Sequence, residues 1–167
     1  MKNNNNKTKA FVFDFDDTLA TTEARVLVTK YGSFSQALTP SEFNEYKLAD
    51  GEEFQFSEFT NPEFIIDGKP LGLIELAKDI HAEGHNLYIL TARNEAASNA
   101  IATFLARFNI TAKMIHCVGK ESTTNIAKAK QTVLMTIIDN HDITYFYDDD
   151  EANIELASSL DCKAELV

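Results

Sequence analysis

Apolar residues along this chain come in short dense runs that break off at acids, glycines or small polar residues. The first run, Ala10-Phe11-Val12-Phe13, turns acidic at Asp14-Phe15-Asp16. A continuous apolar stretch of this length predicts a strand buried on both faces, as in a parallel sheet covered by helices. Leu87 to Leu90 ends in Thr91-Ala92-Arg93, Lys113 to Val118 in Gly119-Lys120, and Ile143 to Tyr147 in Asp148-Asp149-Asp150. Lys163 to Val167 suits an edge strand. Helical spacing fills the intervals: Leu73, Leu76 and Ile80 before a stop at Gly84, then Ile101, Phe104, Leu105 and Phe108 before Asn109. Val133, Leu134, Ile137 and Ile138 mark a third helix, and Ile154, Ala157 and Leu160 a fourth. Strands alternating with such helices predict right-handed βαβ units. The expected fold is α/β, a three-layer doubly wound, Rossmann-like, mostly parallel sheet.

Residues 20–70 break the rhythm. They hold eight of the seventeen aromatic residues, and between Ser41 and Asp67 eight acids face one lysine, Lys47. Thr39-Pro40-Ser41-Glu42 is a capping box with proline at the first helical position, so a short helix is expected there. The segment is expected to be a small, partly irregular, cap-like insertion after strand one, its aromatics mainly filling a mini-core of its own. Residues 1–9, polar and rich in asparagine, are expected to be a disordered lead-in to a single domain over 10–167.

Composition narrows the function. With 15 Lys+Arg against 26 Asp+Glu the net charge is −11, which disfavours tight, sequence-independent binding to nucleic acid. No apolar run approaches a membrane span, no secretory h-region opens the chain, and Cys117 and Cys162 are too few for a disulfide framework. A cytoplasmic protein with reduced thiols is expected.

In an open parallel sheet, ligands bind beyond the carboxyl ends of the strands. The strand ends here carry Asp14, Asp16 and Asp17, then Thr91, then Asp148, Asp149 and Asp150. Two unit charges ~4 Å apart repel by roughly 4 kcal/mol at an effective dielectric of 20. Such acids must protonate, splay apart or hold a cation, and an oxygen-only donor set points to Mg²⁺. A solvated strand end or a helix cap accounts for most isolated aspartates. Recurrence on strand ends that the fold places side by side is what argues against that here.

These residues also resemble the haloacid dehalogenase (HAD) superfamily. Asp14-Phe15-Asp16-Asp17-Thr18 after an apolar strand is similar to its first motif, DxDxT. Leu90-Thr91-Ala92-Arg93 resembles the second, and Phe146-Tyr147-Asp148-Asp149-Asp150 the fourth. The likeness extends over residues 10 to about 160, the insertion excepted, and looks closest to small phage and bacterial HAD phosphatases and to the phosphatase domain of polynucleotide kinases. It implies that Asp14 is a nucleophile forming an aspartyl-phosphate and that Asp16 is the acid and base. Thr91, with Ala92 and a lysine, would bind the phosphoryl group, and Asp14, Asp16, Asp148 and Asp149 would hold Mg²⁺. The lysine comes from Lys120, Lys128 and Lys130. Lys130 matches best, because apolar residues at +3, +4, +7 and +8 suggest that it opens a helix. Asp17 and Asp150 stand where many relatives have glycine or a small polar residue.

The implied activity is hydrolysis of a phosphomonoester, with a small phosphorylated metabolite or nucleotide as substrate and a 3′-phosphate on a nucleic-acid end as the alternative. A receiver-like phosphate-binding module competes from another class. It would need an acid ending strand three, where this chain has Cys117-Val118-Gly119.

Overall fold

The computed structural model describes residues 7–120 and 124–167. From the N-terminus, β1 (Lys9–Phe13) leads into the insertion, which contains β2 (Ala20–Thr21), β3 (Val26–Lys30), β4 (Ser33–Leu38), α1 (Pro40–Glu45), β5 (Glu52–Gln55), α2 (Ser57–Thr60), α3 (Pro62–Ile66) and β6 (Lys69–Pro70). The alternation then resumes with α4 (Leu73–Ala82), β7 (Asn86–Thr91), α5 (Ser98–Ala106), β8 (Met114–Cys117), α6 (Ile126–Asp139), β9 (Ile143–Asp148), α7 (Glu151–Ser158) and β10 (Lys163–Leu166).

The central sheet has the order β10-β9-β1-β7-β8, with every neighbouring pair parallel. The chain steps from β1 to β7 and β8 on one side, then crosses through α6 to β9 and β10 on the other. Connections therefore diverge between β1 and β9, and a crevice opens at their carboxyl ends. β1 shows why its apolar run is continuous. Phe13 packs with the α4 and α5 residues Ile74, Ala77, Ile80, Ile101, Phe104 and Leu105, whereas Ala10 and Val12 pack with Leu134, Ile137 and Ala157 of α6 and α7. Alternate side chains serve opposite layers, and both layers are apolar.

Two helices sit differently from the pattern. In α4 the buried stripe is Ile74, Ala77 and Ile80, with Leu73 and Leu76 only partly buried beside it. Helix α6 starts at Ile126, capped by the Asn125 side chain, which accepts the Lys128 N–H at 3.1 Å. Lys130 thus lies in the second turn rather than at the helix start, on the buried stripe Lys130, Leu134 and Ile137. Gly84 and Asn109 end their helices with left-handed φ of 79° and 57°, as expected at those stops.

The expected lead-in is too long. The backbone N–H and hydroxyl of Thr8 donate to Asp142 at 2.8 and 3.0 Å, and Lys9 already belongs to β1. Residues 1–6 of that lead-in lie outside the described residues. The insertion is also more regular than expected. β2 and β6 pair antiparallel at its base, and β4-β3-β5 form a separate antiparallel sheet. Tyr31 and Gly32, at φ 50° and 81°, form the two-residue hairpin loop between β3 and β4, where left-handed backbone matches the strand twist. Thr39 and Glu42 cap α1 reciprocally. Val26, Val28 and Leu38 form a small core with Phe43, Tyr46, Phe54 and Phe59, while Tyr31, Phe34 and Phe56 remain exposed. Among the described residues no helix is long and apolar enough to cross a membrane. Both cysteines are free, and burial pushes the Cys117 thiol up to about 11, which leaves it inert.

Candidate active site

The loop after β1 brings the first acids to the crevice. Asp14 prolongs the strand pairing by donating its N–H to the Tyr147 carbonyl at 2.9 Å. The chain then folds back on itself: the Phe15 carbonyl accepts the N–H groups of Leu19 and Ala20 at 3.0 and 3.1 Å. Asp17 occupies this turn at φ 59°, a left-handed position that Asp tolerates better than most residues, and its N–H reaches the Ala20 carbonyl at 2.8 Å. Partial burial, then the negative charges of Asp149 and Asp16, raise the Asp17 carboxyl above its usual range. The Thr18 hydroxyl lies 3.4 Å from both Asp14 Oδ2 and Asp149 Oδ1, and its single proton serves one of them at a time.

Lys130 is the cation of the site. Its Nζ donates to Asp14 Oδ1 at 2.9 Å and to Asp148 Oδ2 at 2.7 Å, with all three groups buried. Lys120 and Lys128 are exposed. Burial alone would lower the Lys130 ammonium, but Asp14 and Asp148 outweigh it and hold it above the ordinary lysine range. Asp14 shows the opposite balance: burial pushes its carboxyl up to about 8 against the pull of Lys130, and Asp148 adds to the rise. Asp148 is better provided, since its oxygens also accept the Asp150 N–H at 2.9 Å and the Asn153 amide at 3.0 and 3.1 Å.

The six strand-end acids separate into different environments. Asp14, Asp148 and Asp149 bring carboxylate oxygens within 4.8 Å of one another, and Asp149 is the exposed member. With all three ionised, one ammonium would leave two negative charges, and the donors are all hard oxygens. That set fits Mg²⁺. The Asp16 carboxylate, one of the four acids expected at the metal, stands outside this group of side chains. Asp150 caps α7, accepting the Ala152 N–H at 2.8 Å.

What holds Asp16 is Arg93, a residue to which the sequence pattern assigned no role. Arg93 is buried, and its Nε and Nη2 donate to the two Asp16 oxygens at 2.8 and 2.7 Å. Thr91, fully buried at the end of β7, accepts the Arg93 backbone N–H on its hydroxyl at 3.1 Å. Ala92 between them is exposed. Gly119 closes this loop from the side, donating its N–H to the Arg93 carbonyl at 3.2 Å. Asn153, like Arg93, was not expected among the functional residues.

No family model matches the chain, and neither does any curated protein sequence. Solved structures do. A chain in each of two structures of a Pnkp1/Rnl/Hen1 complex, described in one as an RNA repair complex, is 14% identical, with TM-scores of 0.65 and 0.62. The match covers 98% and 96% of this chain but only 47% and 42% of those chains, so this chain spans less than half their length. D,D-heptose 1.7-bisphosphate phosphatase from B. bronchiseptica, solved with magnesium and phosphate, is 10% identical with a TM-score of 0.59, over 95% of this chain and 80% of that one. A HAD-superfamily hydrolase from Ehrlichia chaffeensis is 16% identical with a TM-score of 0.53, over 95% and 86%. Together with the parallel sheet and the acids at its switch point, these matches show that the chain has the fold of the HAD-superfamily hydrolases.

Proposed function

We propose that this protein is a Mg²⁺-dependent phosphomonoester hydrolase that works through an aspartyl-phosphate on Asp14. The observation that carries this is the setting of Asp14, a buried carboxylate at the sheet's switch point, bonded to Lys130 inside a cluster of three acids. Asp14, Asp148 and Asp149 would hold the metal, which when bound supplies positive charge against that of a phosphoryl group. The Asp14 carboxylate attacks phosphorus, the bond from phosphorus to the ester oxygen breaks, and the leaving oxygen takes a proton from Asp16. Water then attacks the same phosphorus and gives its proton back to Asp16, and phosphate departs as Asp14 is restored. Lys130 offsets charge on the nucleophile, and the Thr91 hydroxyl, with Ala92 beside it, would bond a phosphoryl oxygen.

Asp14→Asn should fold yet turn over no phosphomonoester that the wild type cleaves. Asp16→Asn should accumulate acid-stable phosphoprotein from a substrate with a good leaving group. Full turnover by Asp14→Asn would overturn the mechanism.

The substrate we favour is a small phosphomonoester, a nucleotide first. A chain of net charge −11 with an acidic insertion repels a long polyanion at low salt. Tyr31, Phe34 and Phe56 are the large aromatics the insertion leaves open, and stacking is worth about 1–3 kcal/mol per base. The likeness to chains of an RNA repair complex favours a second reading, a 3′-phosphatase on nucleic-acid ends. Comparing kcat/KM for a nucleoside monophosphate and a 3′-phosphorylated oligonucleotide at matched, moderate salt decides between them. A clear preference for the oligonucleotide would replace the small substrate and leave the chemistry standing.

A further inference from the structure

Arg93 touches more of the site than its place after β7 requires. Beside the two bonds to Asp16, its Nη1 donates to the Phe59 carbonyl at 2.6 Å and its Nη2 to the Thr22 hydroxyl at 3.2 Å. Phe59 belongs to α2, and its ring lies 5.6 Å from the guanidinium carbon, while the ring of Phe15, from the Asp14–Asp16 loop, lies 6.0 Å away. One planar cation thus joins three separate pieces: the loop after β1, the end of β7 and the insertion. Helix α2 is anchored from its other side too, since Glu58 accepts the Arg25 N–H at 2.6 Å.

The donor count separates two possible roles. A guanidinium has five N–H groups, and four of those of Arg93 are committed to Asp16, Thr22 and Phe59. Little is left to offer a phosphoryl oxygen. Two parallel bonds to one carboxylate, by contrast, fix its plane and its side-chain rotamer. They also explain why Asp16 stays out of the three-acid cluster.

We propose that Arg93 is a positioning residue that ties the Asp16 carboxylate to the seat of α2, so that Asp16 is set for reaction only when the insertion rests on the end of β7. This builds on the phosphatase reading above, with Asp16 as the acid and base. The role is distinct from binding the substrate: Arg93 acts on the reaction through Asp16 alone.

p-Nitrophenyl phosphate tests it, because its leaving group departs without a proton. Formation of the phospho-Asp14 enzyme then bypasses Asp16, and only its hydrolysis needs Asp16. In rapid-quench experiments Arg93→Met should keep the nitrophenol burst while steady-state kcat falls about 100-fold or more. KM should fall along with kcat, leaving kcat/KM, which is set by formation of the phospho-enzyme, within about twofold. Arg93→Lys, which keeps the charge but not the fork, should not rescue. The double variant Arg93→Met/Asp16→Asn should be no slower than Asp16→Asn alone. A slowed burst with a raised KM, or a further loss in the double variant, would make Arg93 a phosphate ligand and overturn the proposal.

Hydrogen exchange reads the link to the insertion without any turnover. Amides of α2 and α3 should exchange faster in Asp16→Ala as well as in Arg93→Met, since either change frees one end of the bridge. Unchanged exchange in Asp16→Ala would refute the coupling. Should Arg93→Met fail to fold, Thr22→Val removes one anchor of the guanidinium and leaves Asp16 untouched; it should lower kcat with the burst intact, and an unchanged kcat would count against the proposal. A wild type that cleaves no phosphomonoester would defeat the phosphatase reading, while the exchange measurements would still decide the coupling.

Discussion

Lys130→Met removes the one ammonium shared by Asp14 and Asp148 and leaves a side chain of similar length. Lys130 is only 2% exposed, and its two bonds measure 2.9 and 2.7 Å. Breaking a buried ion pair by removing one partner costs about 3–5 kcal/mol, because the other charge stays behind uncompensated. Here two carboxylates are left. Asp148 keeps the Asn153 amide and the Asp150 N–H, whereas Asp14 retains the Thr18 hydroxyl at 3.4 Å. The variant should therefore lose about 3–5 kcal/mol in the presence of chelator, out of the roughly 5–15 kcal/mol typical of a domain. With a urea m-value of about 2 kcal/mol/M, the midpoint falls by ~1.5–2.5 M. Excess Mg²⁺ replaces the missing charge, so the loss should shrink.

The control is Lys128→Met, two residues away and exposed, which should change stability by less than about 0.5 kcal/mol. The pH dependence carries a sign as well. Asp14 and Asp148 outweigh burial and raise the Lys130 ammonium, so its contribution is complete below the ordinary value of 10.5 and disappears only as pH climbs through the higher folded value. The wild type should show an alkaline fall in urea midpoint that Lys130→Met lacks. Equal midpoints for Lys130→Met and Lys128→Met in chelator would refute the buried triad.

Mg²⁺ should stabilise the wild type by mass action, by about 2.7 kcal/mol at a hundred times Kd, and so raise its Tm, and Asp149→Ala should lose most of that gain without losing stability in chelator, because Asp149 is exposed. Differential scanning fluorimetry with and without Mg²⁺ reads both effects. Gly119→Ala should destabilise by about 1–3 kcal/mol in urea unfolding and depress turnover, because a Cβ there collides with the Ala92 carbonyl beside Thr91. Asn153→Leu strips two hydrogen bonds from the fully buried Asp148 and should cost about 1.5–3 kcal/mol, read by the same titration.

The three inner strands of the central sheet, β1, β7 and β9, were legible because both faces are covered, which makes each apolar run continuous and its end abrupt. The insertion sheet lacks that property. Most of β4 is exposed, and the β3–β4 turn is Tyr31-Gly32 rather than the Asn-Gly pair that usually betrays a hairpin. Its eight aromatics signalled a mini-core, which Phe43, Tyr46, Phe54 and Phe59 do form, but not the strands beneath it. Lys130 could be found because apolar residues at +3, +4, +7 and +8 mark the face of α6 that it shares, although the helix opens one turn earlier, at Ile126. Arg93 could not be found that way. Its partners Asp16 and Phe59 lie 77 and 34 residues away, and nothing local distinguishes a strand-end arginine that is buried from one that is solvated.

Topology decides which acids can meet, but the hydrogen-bond donors around each decide which of them do. Asp150 opens a helix, and that helix's first N–H groups claim its side chain. Asp16 is claimed by a guanidinium whose fork fits one carboxylate. Asp14, Asp148 and Asp149 remain grouped with one lysine against three acids, and burial pushes the Asp14 carboxyl up to about 8. Among these six aspartates, unmet charge marks the chemistry better than the identity of the residue does. In a related chain with the same motifs, a second lysine or arginine bonded to Asp148 or Asp149 would argue against a metal there even with every aspartate in place.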